Sequence, residues 1–255
     1  MTKYSDLNYD TLKNLKKKEF VLIPVGSMEV HGPNLPLGSD LYMAEAFTFL
    51  IDKKIDSIVM PSVSYGYANV TKKIAGTISI DFNTLETYIY NIITGLLNLG
   101  FEKIIILNIH NDNDLAIKSA LTGIYDKTAR PVLYINPYRD FSKFNDLAFS
   151  FQDNSYKETS LILASLELLG TGDIAGTARL PENKYKKPSF LKNLLDIGYI
   201  RYDYISEMEH INPEKKASAK EGRKYMDMVV DEIITKINCL EDYVNFLKKR
   251  QKSEF

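Results

Sequence analysis

Tryptophan is absent from this 255-residue chain, cysteine occurs once and histidine three times. The single thiol, Cys239, excludes an intrachain disulfide and fits a reducing compartment. No apolar run approaches the roughly 20 residues that span a bilayer, and Met1 to Lys18 is polar and charged rather than an apolar leader. The expectation is a cytoplasmic protein with no membrane partner. An excess of one charge is missing too: 32 Lys and Arg stand against 33 Asp and Glu, for a net charge of -1. Nothing electrostatic therefore argues for nucleic acid. The short runs Lys16-Lys17-Lys18 and Lys248-Lys249-Arg250 read as solvated faces. Also lacking are a GxGxxG fingerprint, a phosphate loop, a G-x-S-x-G elbow and a CxxC pair. A nucleotide-dependent enzyme or a serine or thiol nucleophile thus has no support.

What the chain does have is apolar material for a sizeable core, at 45% hydrophobic residues. Glu19 to Gly26 is a short apolar run bounded by turn signals and reads as a buried strand. Ser57 to Pro61, the Ile-rich Lys103 to Asn108 and Pro131 to Asn136 read as further strands. Helical patterns cover Asp40 to Asp52, Asn83 to Leu99 before Gly100, Asn113 to Tyr125, and Lys157 to Leu169 before Gly170. Lys216 to Ile237 follows, with Glu241 to Lys249 extending the helical end, while 171–212 is turn-rich. Strands that alternate with helices predict an α/β fold: a single domain over 1–255 with a mainly parallel sheet flanked by helices.

Open sheets of this kind place their sites beyond the carboxyl ends of strands. Two of the three histidines fall there, each beside carboxylates. After the first strand come Glu29, His31 and, past a loop with two Pro and two Gly, Asp40. This mixed oxygen and nitrogen set suits Zn²⁺, Mn²⁺ or Fe²⁺. The plain alternative is a surface loop with Asp40 capping the next helix. After the Ile-rich strand come His110 and Asp112, which converge on a cation only from a loop, with Asn113 as the expected cap of the next helix. Glu158 stands at capping-box spacing from Ser155 and reads from pattern alone as a helix cap. His210, among Glu207, Glu209 and Asn212, reads as a surface residue.

The run Glu29-Val30-His31-Gly32-Pro33-Asn34-Leu35-Pro36-Leu37-Gly38-Ser39-Asp40 closely resembles the E-Q-H-G-P-H-L-P-L-G-T-D motif of the creatininase (creatinine amidohydrolase) family, with nine of twelve positions identical. The resemblance continues in order. Tyr65-Gly66 and Gly76-Thr77-Ile78-Ser79 resemble Y-G…P-G-T-I-S; Asn108 to Asn113 resembles N-G-H-G-G-N; Glu158-Thr159-Ser160 resembles the end of H-A-G-x-x-E-T-S. It implies an amidohydrolase with two divalent metal ions, assembled as a homo-oligomer, in the family usually a hexamer. It also implies that Glu29 and His31 bind different metals, that Asp40 bridges them and that His110 completes one site. The remaining ligand is Asp112, as in creatinine-opening members, or Glu158.

This chain departs from the family at Asn34, Ala75 and Asp153, where His, Pro and His are usual, and Thr71 stands near another usual His. With no His at 153, the proton for a leaving nitrogen falls to Asp153, Asp112 or Glu158. The implied reaction is hydrolysis of a non-peptide C–N bond in a small amide, formamide or cyclic amide by a two-metal hydroxide mechanism. Creatinine-opening members resemble one another in placing Trp around the ring, and this chain has none. Members that deformylate a ribosylaminopyrimidine phosphate are the better analogue, with Lys72 and Lys73 as candidates for the phosphate. The competing class is a non-catalytic, metal-stabilised binding or assembly subunit of the same fold.

Overall fold

The computed structural model describes residues 1–15, 20–32, 34–137, 154–172 and 217–253. Five parallel strands form one sheet: β1 (Thr2–Lys3), β2 (Phe20–Val25), β3 (Ser57–Val59), β4 (Lys103–Asn108) and β5 (Leu133–Ile135). Their order in space is β1-β3-β2-β4-β5. Helices α1 (Tyr9–Asn14), α2 (Ser39–Asp52), α3 (Phe82–Asn98), α4 (Asp114–Thr128), α5 (Asn154–Leu168) and α6 (Ala219–Ser253) complete the described fold. The expected α/β architecture with a parallel sheet between helices is what the chain adopts.

Alternation along the strands decides the layers. Phe20 and Leu22 of β2 face one core, with α2, α5 and α6. Val21, Ile23 and Val25 face the other, with α3 and α4. In β4 the consecutive Ile104, Ile105, Ile106 and Leu107 are all fully buried, because helices cover both faces. Burial of each such side chain is worth about 1.5–3 kcal/mol. On α3 the buried set Leu85, Ile89, Ile93, Leu96 and Leu97 follows the helical repeat, and the Asp81 carboxylate caps the helix by accepting from Thr84 N at 2.9 Å. Gly100, in the left-handed region at φ 87°, closes α3 as its position in the sequence predicts.

One local expectation needs correction. Asn113 adopts helical geometry and makes no side-chain cap to α4; its amide is drawn instead to Gly26 and Tyr67, a tertiary pull stronger than one cap. As expected, Glu241 to Lys249 extends the preceding helix: the two stretches form one helix, α6, with Leu240 buried in the core and no breaker between them. The two-residue strand β1 shows no alternation in sequence and exists only because β3 offers an edge. Among the described residues no helix is long and apolar enough to cross a membrane.

The chain runs from β2 through α2 to β3 on one side, then through α3 to β4 on the other side of β2. Connections therefore diverge between β2 and β4, and the crevice at their carboxyl ends is the expected ligand position.

Candidate metal centre

Gly26 ends β2 against the first turn of α2: a Cβ there would lie 2.6 Å from the backbone nitrogen of Leu41, so only glycine allows the approach. The chain then loops out and back, with Glu29 N donating to Leu37 O at 3.0 Å and Ser39 Oγ to Pro36 O at 2.6 Å. Gly32 turns the loop at φ 75°, a conformation that L side chains resist. The result sets Glu29 and His31 against Asp40, which sits in the first turn of α2 where unpaired backbone N–H groups favour an anion. From β4, paired in register with β2, the chain delivers His110 to the same place.

The Asp40 carboxylate lies between two imidazoles. Its Oδ1 is 3.2 Å from His31 Nε2, and its Oδ2 is 3.0 Å from His110 Nδ1. His110 Nδ1 is also 3.0 Å from Glu29 Oε1. Ligand atoms of Glu29, His31 and Asp40 all fall within 4.8 Å of one another. The far nitrogen of each ring meets a backbone carbonyl: His31 Nδ1 with Glu29 O at 3.1 Å, and His110 Nε2 with Tyr67 O at 3.2 Å. A carbonyl only accepts, so each far nitrogen carries the hydrogen. In the neutral ring the near nitrogen then presents a lone pair, the orientation found for metal-binding histidines.

Asp40, His31 and His110 are all buried, and Asp40 Oδ2 accepts no hydrogen bond of good geometry despite its His110 neighbour. Burial by itself would lower His31, but Asp40, Glu29 and Glu158 outweigh it and push His31 up to about 10. His110 is likewise carried well above its ordinary value, against burial, by Glu29 and Asp40. Burial would raise Asp40, yet the positive charges of His31 and His110 hold it well below the usual carboxylate range. A field that keeps protons on buried imidazoles is a field that attracts cations. A divalent ion would take the place of those protons, and the donor set of two imidazoles and carboxylates fits zinc, manganese or iron.

The remaining predicted residues separate. Glu158, half-buried in the first turns of α5, is close enough to His31 to act on its charge. Asp112 lies on the single turn 111–113, and its Oδ2 accepts from Val70 N at 3.2 Å. Asp153 and His210 lie outside the described residues. Sequence reasoning missed Thr71 as a participant. Its buried hydroxyl donates to Glu29 Oε2 at 2.6 Å. It drew notice only for standing near a usual histidine, and no local pattern marks a partner 42 residues away. Asn113 was also misread: it accepts from Tyr67 N at 2.8 Å and donates to Gly26 O at 3.0 Å, joining the β2 end to the 67–71 loop.

The family model described as creatinine amidohydrolase matches residues 5–237. A 3-dehydro-scyllo-inosose hydrolase of Thermotoga maritima is 33% identical over 99 residues, 38% of this chain and 32% of that protein. The creatinine amidohydrolase of Pseudomonas putida is 27% identical over 164 residues, 56% of this chain and 63% of that protein. The chain thus spans under two thirds of the length of these two curated relatives. A 2-amino-5-formylamino-6-ribosylaminopyrimidin-4(3H)-one 5'-monophosphate deformylase of Methanocaldococcus infernus is 26% identical over 253 residues, 94% of this chain and 98% of that protein. A creatininase solved with creatine superposes with a TM-score of 0.71 at 20% identity, covering 95% of this chain and 98% of that one. Other solved creatininases are manganese and zinc–zinc forms.

Proposed function

The chain belongs to the creatinine amidohydrolase family, and on that premise we propose that it hydrolyses a non-peptide C–N bond in a small amide, formamide or cyclic amide. Two divalent cations, of zinc, manganese or iron, would be held on either side of Asp40: one by Glu29, His110 and Asp40 Oδ2, the other by His31, Asp40 Oδ1 and Glu158. The observation that carries this reading is the division of one buried carboxylate between two imidazoles, 3.2 and 3.0 Å away. Cations in such a site supply a nucleophilic oxygen from water at neutral pH and polarise a carbonyl.

The protein's own groups do the rest. Asp40 spaces the two halves, and the carbonyls of Glu29 and Tyr67 fix both imidazole tautomers. Asp153 would deliver the proton to the leaving nitrogen, while Asp112 keeps its Oδ2 on the Val70 amide. A formamide is the favoured substrate class, because the deformylase aligns along nearly its whole length. The absence of Trp argues in the same direction, away from creatinine. The intact donor set weighs against a non-catalytic binding subunit. The working form would be a homo-oligomer acting on a small molecule.

The test combines metal analysis with a panel of formamides and cyclic amides. Close to two ions per chain and hydrolysis of a formamide are expected, with Asp153→Asn retaining the metals while slowing turnover about 10²-fold, the usual cost of a lost general acid. A protein that binds metal yet hydrolyses nothing on the panel would favour the binding-subunit reading.

A further inference from the structure

The segment Tyr67 to Thr71 touches both halves of the site. At one end, Tyr67 O meets His110 Nε2 at 3.2 Å and Tyr67 N donates to Asn113 Oδ1 at 2.8 Å. Three residues on, Val70 N donates to Asp112 Oδ2 at 3.2 Å. His110, Asp112 and Asn113 belong to one turn at the end of β4, so that turn grips the segment at two points along its length. Between them Ala68 N donates to Ser79 Oγ at 2.9 Å, which ties the segment to the strip beside Met28 and Ile78. The next residue, Thr71, is buried and gives its hydroxyl to Glu29 Oε2 at 2.6 Å. With Oε2 occupied, Glu29 turns Oε1 towards His110 Nδ1, 3.0 Å away.

These contacts form a path from Asp112 through Val70 and Thr71 to Glu29. We propose that Asp112 and Thr71 are positioning residues that act through the 67–71 segment to set Glu29 against His110, and that Asp112 is not itself a metal ligand. The inference rests on the metal reading of the site. A carboxylate held by one outer hydrogen bond offers its other oxygen in a fixed direction. Freed of that bond it swings between rotamers, and the ordering cost then falls on the binding step. Thr71 bonds to Glu29 and not to the His31 side, where the Glu158 charge acts on the ring. The consequence is selective: disturbance of the segment affects the half of the site built from Glu29 and His110.

The experiment is a Zn²⁺ titration of the full-length, metal-free protein against a chromophoric chelator. His110→Ala and His31→Ala identify which of two binding events belongs to which half. Thr71→Val should weaken the event lost in His110→Ala by about 10–100-fold, the cost of removing a partner that orients a metal ligand, and leave the other unchanged. Thr71→Ser should restore it. Asp112→Ala should weaken the same event, and the double variant should be no worse than the worse single, as members of one path are not additive. Asp112→Asn keeps an amide oxygen that still accepts from Val70 N and should retain both events. Circular dichroism checks that each variant folds, and the conservative pair Thr71→Ser and Asp112→Asn carries the test if the larger changes do not. Loss of the His31 event in Asp112→Asn would make Asp112 a ligand and overturn the proposal. Two intact events in Thr71→Val would also overturn it, with the metal reading left standing. A wild-type protein that binds no zinc would remove both.

Discussion

Asp40 is the residue on which most converges, and its chemistry follows from what surrounds it. One carboxylate at the start of a helix faces an imidazole from each of two strand ends. If two cations sit on either side, its negative charge offsets their mutual repulsion, whereas a terminal ligand serves only its own ion. Asp40→Ala should therefore abolish binding of both metals, and His31→Ala or His110→Ala should remove one, as read by elemental analysis after metal loading. Two ions at wild-type affinity in Asp40→Ala would show that the carboxylate does not bridge. Glu29, His31, Asp40 and His110 were legible in the sequence because their residue types and their places after apolar runs already pointed to a site. Thr71 was not, since a threonine carries no metal chemistry and its partner is set by the fold. Asp112 was legible as a group but not as a role. Its spacing from His110 fits a ligand equally well, and the bond from Val70 N to its Oδ2 is what supports the positioning role proposed above.

At the scale of elements, the helices owe their ends to local chemistry and their places to packing. Asp81 caps α3, and Gly100 and Gly170 stand in left-handed geometry after α3 and α5, as their spacing predicts. The crossing of α5 and α6 depends on Gly222, which no capping or periodic rule marks. A Cβ at Gly222 would fall 1.8 Å from Ser160 O, well inside any tolerated contact. Glycine inside a helix costs roughly 1 kcal/mol relative to alanine, so the chain accepts that loss to bring the helices together. Gly222→Ala should consequently destabilise the protein by about 3 kcal/mol or more, since a backbone carbonyl cannot move aside as a side chain could. Urea denaturation would read this as a lower midpoint. Because Ser160 lies two residues after Glu158 on α5, the same variant should also weaken the metal event assigned to His31. An alanine variant as stable as wild type would mean that the two helices are not held at this distance in solution.

For the whole molecule, the candidate metal centre lies beyond the carboxyl ends of the paired strands β2 and β4, so its occupation and the stability of the fold should be linked. Ions that bind only the folded state stabilise it by mass action, about 4 kcal/mol at 1,000 times Kd. In a chain of this size that corresponds to a melting temperature roughly 10 °C higher. Chelation should lower the melting temperature by such an amount, with recovery on adding back zinc or manganese. No change on chelation would argue that the buried charges are satisfied without metal. Residue order by itself determined the alternation of strands and helices, since apolar period and end signals are local properties. It marked imidazoles and carboxylates after strand ends as candidate cation ligands, and its resemblance to a known motif gave the class of reaction. It could not determine that the β2 end lies beside the β4 end, for strand order is a matter of which nonlocal pairings pack best and leaves no mark in any short window. Only the tertiary structure decided which Asp40 oxygen faces which histidine, that the Glu158 charge reaches His31, and that the 67–71 segment joins Asp112 to Glu29 across 83 positions of chain. Each of those is a distance between residues far apart in sequence, created when the sheet brings its strand ends together.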